Sequence, residues 1–288
     1  MANTHEHFLS YRAKLDLSNT TFTRLKTAQS SVQKQLEKYF AGRESYQIKQ
    51  FKIQGSKSIN TLIRKQGDIV DIDFGIYFYP KPNVQPATLI EQVYKALYGM
   101  RNNYAPERKK KCVRVTYSEV SKIHIDVPIF YLEKLRGERN PQLATRNGWI
   151  ESDATEFEKW YKEKRKGNLQ LTPIIRYLKG WADNQSIEMP KGVAITVLAS
   201  NYFCKHERDD VAFLETLKAI RKALLKDFVC QMPVKPYDDL LRKITFGKKR
   251  REFFERLNAI IEDGNDAVKV KNKDEAHRIW KQHLGKHF

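Results

Sequence analysis

The chain has 288 residues, with 53 Lys+Arg against 34 Asp+Glu and a formal net charge of +19, a length that suits roughly two domains. Hydrophobic residues make up 41% and aromatics 11%, enough for real cores and too much for a disordered chain. The longest mostly apolar stretch, 193–203, is interrupted by Thr, Ser and Asn and falls far short of the ~20 residues that span a bilayer. The opening Met-Ala-Asn-Thr-His-Glu-His shows no basic start followed by an apolar block. These features argue against a membrane or secreted protein, so a cytoplasmic one is expected.

His5-Glu6-His7 carries metal-binding side chains, but at a terminus expected to fray it reads as an ordinary chain end. From Asn19 to Phe40 there is no Gly or Pro, and Phe22, Leu25, Val32, Leu36, Tyr39 and Phe40 recur at helical spacing. One long amphipathic helix is predicted there, ended by Gly42. The period then changes. Phe51 and Ile53 alternate with polar residues into Gly55-Ser56, a short helical segment is predicted over 58–64, and 69–79 reads as a strand closed by Pro80 and Pro82. Leu89, Val93, Ala96 and Leu97 suit a second helix, and 113–117 and 123–130 read as two strands joined by a short polar turn. Past about residue 140 the strand signal disappears, and helices are predicted over 157–164, 173–183, 193–206, 212–226, 237–244, 251–262 and 274–283. The expected fold is α+β. A mixed-sheet core over 1–145 packs against a helical domain over 146–288, the junction falls in the Arg-, Asn-, Pro- and Gly-rich stretch 137–148, and the long N-terminal helix bridges the two halves. Cys112, Cys204 and Cys230 form no C-x-x-C pair and are odd in number, which fits a reducing compartment and offers no zinc framework.

The strand over 69–79 carries the strongest chemical signal. Side chains alternate faces along a strand. Val70, Ile72, Phe74, Ile76 and Phe78 form an unbroken apolar row, and Asp71 and Asp73 project together from the other face. Like charges on a half-buried strand repel and lose hydration, so they call for a compensating cation. A pair of divalent ions supplies one, together with the means for phosphoryl transfer. The plain alternative is a wet face on which each Asp is solvated. The strand over 123–130 repeats the pattern: Ile123, Ile125, Val127 and Ile129 face one way, and His124 and Asp126 the other. Asp71, Asp73 and Asp126 can thus converge as hard oxygen ligands for Mg²⁺ or Mn²⁺, unless Asp126 instead pairs with a nearby Lys or Arg. Upstream, Gly55-Ser56 reads as a tight turn at a helix start, where a glycine backbone and a hydroxyl can cradle a phosphate.

Gly55-Ser56, Asp71-Ile72-Asp73 and the separate Asp126 resemble the G-S … D-x-D … D signature of the polymerase-β-like nucleotidyltransferases. More narrowly, residues 55–63 and 71–77 are similar to the bacterial cGAS/DncV-like nucleotidyltransferases (CD-NTases), as are 147–153, 174–181 and 280–288. The resemblance implies an enzyme that condenses nucleoside triphosphates into a cyclic di- or oligonucleotide second messenger for antiphage (CBASS) signalling, with two Mg²⁺ or Mn²⁺ ions held by Asp71, Asp73 and Asp126. It also implies triphosphate contacts from Gly55, Ser56, Lys179 and Ser200, and a position for Asn168 near the nucleotide base. The last three each have a plainer reading. Lys179 can be a snorkelling surface lysine, Ser200 a helix-interior serine bonded to the preceding turn, and Asn168 an ordinary turn residue after Gly167.

The basic runs 108–111 and 248–251 are candidate contacts for an activating RNA or DNA, although neither is interleaved with stacking aromatics. A monomer that takes nucleoside triphosphates and does not engage a membrane is expected. Two rival readings are a template-independent nucleotidyltransferase that modifies an RNA end or a protein, and a non-catalytic basic nucleic-acid-binding module.

Overall fold

The computed structural model describes residues 2–100, 104–117, 123–135 and 140–288. The expected polar turn between the strands at 113–117 and 123–130, and positions 137–139 of the expected junction, lie outside the described residues.

The chain opens with helix α1 (His5–Lys14) and then α2 (Asn19–Phe40). The Ser18 hydroxyl accepts from Thr21 N at 3.1 Å and so caps α2. Leu25, Ala28, Val32, Leu36 and Phe40 form its buried stripe. The terminus does not fray as expected. Phe8 and Tyr11 are fully buried, and His5 Nδ1 accepts a hydrogen bond from Asp209 N at 3.0 Å.

β1 (Ile48–Gln54) runs into the single helical turn α3 (Gly55–Ser58), followed by β2 (Val70–Phe78) and α4 (Pro86–Tyr98). The helical segment expected over 58–64 is therefore displaced to 55–58. Asn60 adopts a left-handed φ of 59°, and the amides of Thr61 and Arg64 donate to Ser56 O and Leu15 O, which leaves no helical ladder there.

The sheet continues through β3 (Glu107–Arg108), β4 (Val113–Tyr117), β5 (Ile123–Val127), β6 (Ile129–Tyr131), β7 (Gln142–Thr145) and β8 (Gly148–Glu151). The strand expected over 123–130 is broken at Pro128, which has no N–H to donate to a ladder. Accordingly β2 pairs in parallel first with β5 and then with β6, while its other edge takes β1 antiparallel. The order is β3-β4-β5-β2-β6-β7-β8. The β7–β8 hairpin was not expected; it carries the sheet to Glu151, beyond the division at 145.

Helices α5 (Ala154–Arg165), α6 (Leu171–Asp183), α7 (Gly192–Tyr202), α8 (Asp209–Lys226), α9 (Gly247–Lys269) and α10 (Lys273–Leu284) follow. The expected helix over 237–244 is absent: Asp239 forms an isolated bridge with Gln231, and 240–244 form turns. Tyr237 sits at φ 55°, and the Asp239 carboxylate takes the amides of Cys230 and Leu241 at 3.1 and 3.0 Å, so those donors are met without a helix.

Two large apolar cores result. One joins α2 and α4 to the inner face of β2, β4 and β5. The other joins α1 to the helices from α5 onward. The bridging role expected of one long helix is thus divided, with α1 in the helical core and α2 on the sheet. No helix among the described residues is long and apolar enough to cross a membrane.

Candidate active site

The inner row Val70, Ile72, Phe74, Ile76 and Phe78 lies in the sheet core, which turns Asp71 and Asp73 to the opposite face. The parallel register sets Asp73 directly beside Asp126 and Asp71 beside His124. On the next strand, Arg114 stands opposite Asp126. Alternation along β4 buries Val113 and Val115 and turns Arg114 outward with the acids. The three aspartates therefore share one face of the sheet, half-buried, at the wall of a cavity of about 710 Å³ between the sheet and the helical core. That volume is typical of small-molecule sites.

The acids differ in their surroundings. Arg114 grips Asp126 with two parallel bonds, Nε–Oδ1 at 2.7 Å and Nη2–Oδ2 at 2.8 Å, and its Nη2 lies 3.8 Å from Asp71. The bonds to Asp126 raise the Arg114 pKa still further. Asp71 is paired with Lys65 and lies 2.7 Å from His124 Nδ1. Burial alone would raise its pKa; the bond and charge of Lys65, then His124 and Arg114, hold it below the ordinary carboxylate range. Asp73 has no bonded cation, and Arg114 and Lys179 act on it only through their charge. Burial first, then repulsion from Asp126 and Asp71, pushes its carboxyl up to about 6.

Gly55 explains the turn that faces these acids. Its φ is 64°, and a Cβ there would collide with the Asp73 carboxylate. Ser56 lines the same cavity.

Lys179, buried on α6, also lines it and donates to Thr61 O at 3.1 Å and to Thr61 Oγ1 at 2.8 Å. It is not a snorkelling surface residue. Burial, with Lys65 and Arg176 nearby, draws its pKa down to about 7.

Two expected contacts are not brought to the cavity. Ser200 is buried, and its hydroxyl donates to Thr196 O at 2.7 Å; Thr196, one turn earlier, lines the cavity instead. Asn168 sits in the turn between α5 and α6, where its amide donates to Lys164 O at 3.4 Å.

Nor does either basic run line the cavity. Arg108 is held bidentately by Glu91 at 2.7 and 2.9 Å, Lys111 faces Asp238, and Lys249 pairs with Glu188 at 2.7 Å. Lys65, Arg114, His124 and Thr61 are not among the expected site residues, although Arg114 is the cationic partner that the alternative for Asp126 allows. For Arg114 and His124 the signal was present in strand alternation. Lys65 and Thr61 lie on irregular backbone with no period to read.

The donor set fits a hard divalent cation. Three carboxylates supply oxygen ligands, and Asp73 is a half-buried anion beside two others, which a cation would relieve. Among the described residues the three do not form a preassembled chelating cluster; Asp71 and Asp126 are turned to the chain's own cations.

Residues 1–165 match the family of Second Messenger Oligonucleotide or Dinucleotide Synthetase domains, more than half of the chain. The chain belongs to that family. A cyclic GMP-AMP synthase of Escherichia coli is 26% identical over 230 residues, covering 62% of this chain and 52% of that protein. The chain thus spans about half the length of this relative.

The Vibrio cholerae DncV cyclic AMP-GMP synthase, a prokaryotic cGAS homologue, has the same fold, with a TM-score of 0.81 at 20% identity across 100% of this chain and 97% of that one. A structure of the same Vibrio enzyme with the linear intermediate 5′ pppA(3′,5′)pG superposes with a TM-score of 0.80, also at 20% identity, across 100% and 97% of the two chains. Membership of the synthetase family agrees with the resemblance read from Gly55-Ser56, Asp71-Ile72-Asp73 and Asp126, and the α+β nucleotidyltransferase fold is the one expected.

Proposed function

We propose that this chain condenses nucleoside triphosphates into a cyclic di- or oligonucleotide second messenger, releasing pyrophosphate, for antiphage (CBASS) signalling in the cytoplasm. The observation that carries the reading is the parallel register that sets Asp73 beside Asp126, on a cavity wall shared with Gly55, Ser56 and Lys179. The relatives add to it: they are named as cyclic GMP-AMP and AMP-GMP synthases, and one Vibrio structure holds a linear dinucleotide.

Asp71, Asp73 and Asp126 would hold two magnesium or manganese ions. Bound there, such ions would acidify an attacking ribose hydroxyl and neutralise charge on the reacting phosphate and the departing pyrophosphate. The residues of the chain supply the rest. Gly55 lets the backbone approach phosphate oxygens, and Ser56 and Lys179 donate to them. Asp126 serves as acceptor for the hydroxyl proton. Phe157, Met189 and Met232 on the cavity wall exclude water and cover the faces of the bases. Each step forms one ribose O–P bond and breaks the Pα–O bond to pyrophosphate; repeating it within the linear product closes the ring.

The test is incubation with all four triphosphates and Mg²⁺ or Mn²⁺, phosphatase treatment, and mass spectrometry. A phosphatase-resistant cyclic product is expected. Nucleotide found attached to an RNA end or to a protein instead would overturn cyclisation. Asp71→Ala combined with Asp73→Ala should abolish turnover with an unchanged circular dichroism spectrum, and normal turnover by that variant would remove the catalytic assignment.

A further inference from the structure

Arg114 is a cation that the reading above does not use. Its guanidinium occupies both oxygens of Asp126, with bonds of 2.7 and 2.8 Å, and its Nη2 lies 3.8 Å from Asp71. A planar fork on a carboxylate is among the strongest side-chain pairings, and it uses the same lone pairs that a metal ion requires. The site thus already contains a positive charge where a divalent cation would sit. Arg114 also lines the nucleotide-sized cavity, so a guanidinium that leaves Asp126 stays beside any bound triphosphate. Phosphate oxygens offer the fork an equivalent bidentate partner.

We infer that Arg114 is a placeholder cation, a positioning residue that holds Asp126 until nucleotide and metal arrive together. The inference rests on the metal-binding reading of Asp71, Asp73 and Asp126. Metal alone must compete with the guanidinium for Asp126. Metal arriving with a triphosphate does not, because the guanidinium has somewhere to go. The resting site is thereby kept weak for free divalent ions and becomes tight when substrate is present, a coupling between two ligands through one side chain.

The test measures Mn²⁺ affinity of nucleotide-free protein by electron paramagnetic resonance of the unbound ion, for the wild type, Arg114→Gln, Arg114→Lys and the Asp71→Ala/Asp73→Ala double variant. Glutamine keeps a hydrogen bond to Asp126 and removes the charge, so Mn²⁺ should bind about tenfold more tightly than to the wild type. Lysine keeps the charge but loses the second bond, so a smaller tightening is expected; it also serves as the deciding variant if the glutamine protein does not fold. A structural role alone predicts the opposite sign, since a loosened Asp126 would bind metal less well. Affinity equal to or weaker than wild type in the folded variants overturns the inference while leaving the metal site in place. Affinity of folded Arg114→Gln no better than that of the Asp71/Asp73 double variant removes the metal site itself, and the placeholder with it. As a second readout, a nonhydrolysable GTP analogue should raise the affinity of the protein for Mn²⁺ more in the wild type than in Arg114→Gln, after correction for Mn²⁺ bound by the analogue alone.

Discussion

Asp73→Asn in metal-free protein isolates the electrostatic cost built into the site. The Asp73 carboxyl is pushed up to about 6 by burial and by Asp126 and Asp71, against an ordinary value of about 3.9. The folded state therefore holds this proton more tightly than the unfolded chain does. Its contribution to stability falls as pH rises from about 4 to about 6 and is level above that. Some two pKa units correspond to at most about 3 kcal/mol at pH 7.5. Over 288 residues, an unfolding entropy of ~2.1 cal/mol/K per residue converts this to a Tm change of about 5 °C. Asparagine carries no charge to desolvate, so with EDTA present at pH 7.5 the variant should melt up to about 5 °C above the wild type. At pH 4 the two should nearly coincide. Mg²⁺ should raise the wild-type Tm and leave the variant almost unmoved. The measurement is paired thermal denaturation across this pH range, with and without the ion. A variant no more stable than the wild type at pH 7.5, or a difference that ignores pH, would refute the reasoning.

Other outcomes follow from the same cavity. Gly55→Ala forces a left-handed φ on a residue with a Cβ and drives that Cβ into the Asp73 carboxylate; turnover should fall at least about 100-fold while circular dichroism stays native, because the turn lies outside both cores. Lys179, with its pKa near 7, is charged below that value and neutral above it. Triphosphate binding should therefore take up a proton between about pH 7 and 9, visible by calorimetry in buffers of different ionisation enthalpy, and Lys179→Met should raise KM about tenfold or more and abolish the uptake. Ser200→Ala removes only a hydroxyl bonded back to Thr196 O; turnover should stay within about twofold of the wild type, with stability within about 1 kcal/mol.

The readable parts of this molecule are those in which one period runs long enough to stand out. The apolar row from Val70 to Phe78 identified its strand and turned Asp71 and Asp73 the other way. The stripe from Leu25 to Phe40 did the same for α2. What escaped depends on neighbours rather than on local pattern. Lys65 reaches Asp71 from irregular backbone, and the grip of Arg114 on Asp126 arises because β4 pairs with β5, although Arg114 already stood on the polar face of its own strand. The β7–β8 hairpin has arms too short for alternation to register, despite the turn signal of Asn147-Gly148. At 237–244, Leu240, Leu241 and Ile244 sit at helical spacing, yet the Asp239 carboxylate takes the Leu241 amide and ties the segment to Cys230 N. At the amino end, Phe8, Tyr11 and Leu15 were spaced for a helix, and assuming a loose terminus hid it. Ser200 was placed by analogy alone, and its hydroxyl is consumed within its own helix.

The pairing of Asp73 with Asp126 has a kinetic corollary. The two residues lie 53 positions apart (126 − 73) and meet only through a parallel ladder, an intrinsically slow kind of contact for a chain to close. Helices and the β1–β2 hairpin can assemble earlier from nearer segments. Divalent-ion capture should then appear only once β5 has joined β2, making bound Mn²⁺ a reporter of that pairing during refolding, and a fragment ending before β5 should show none of it.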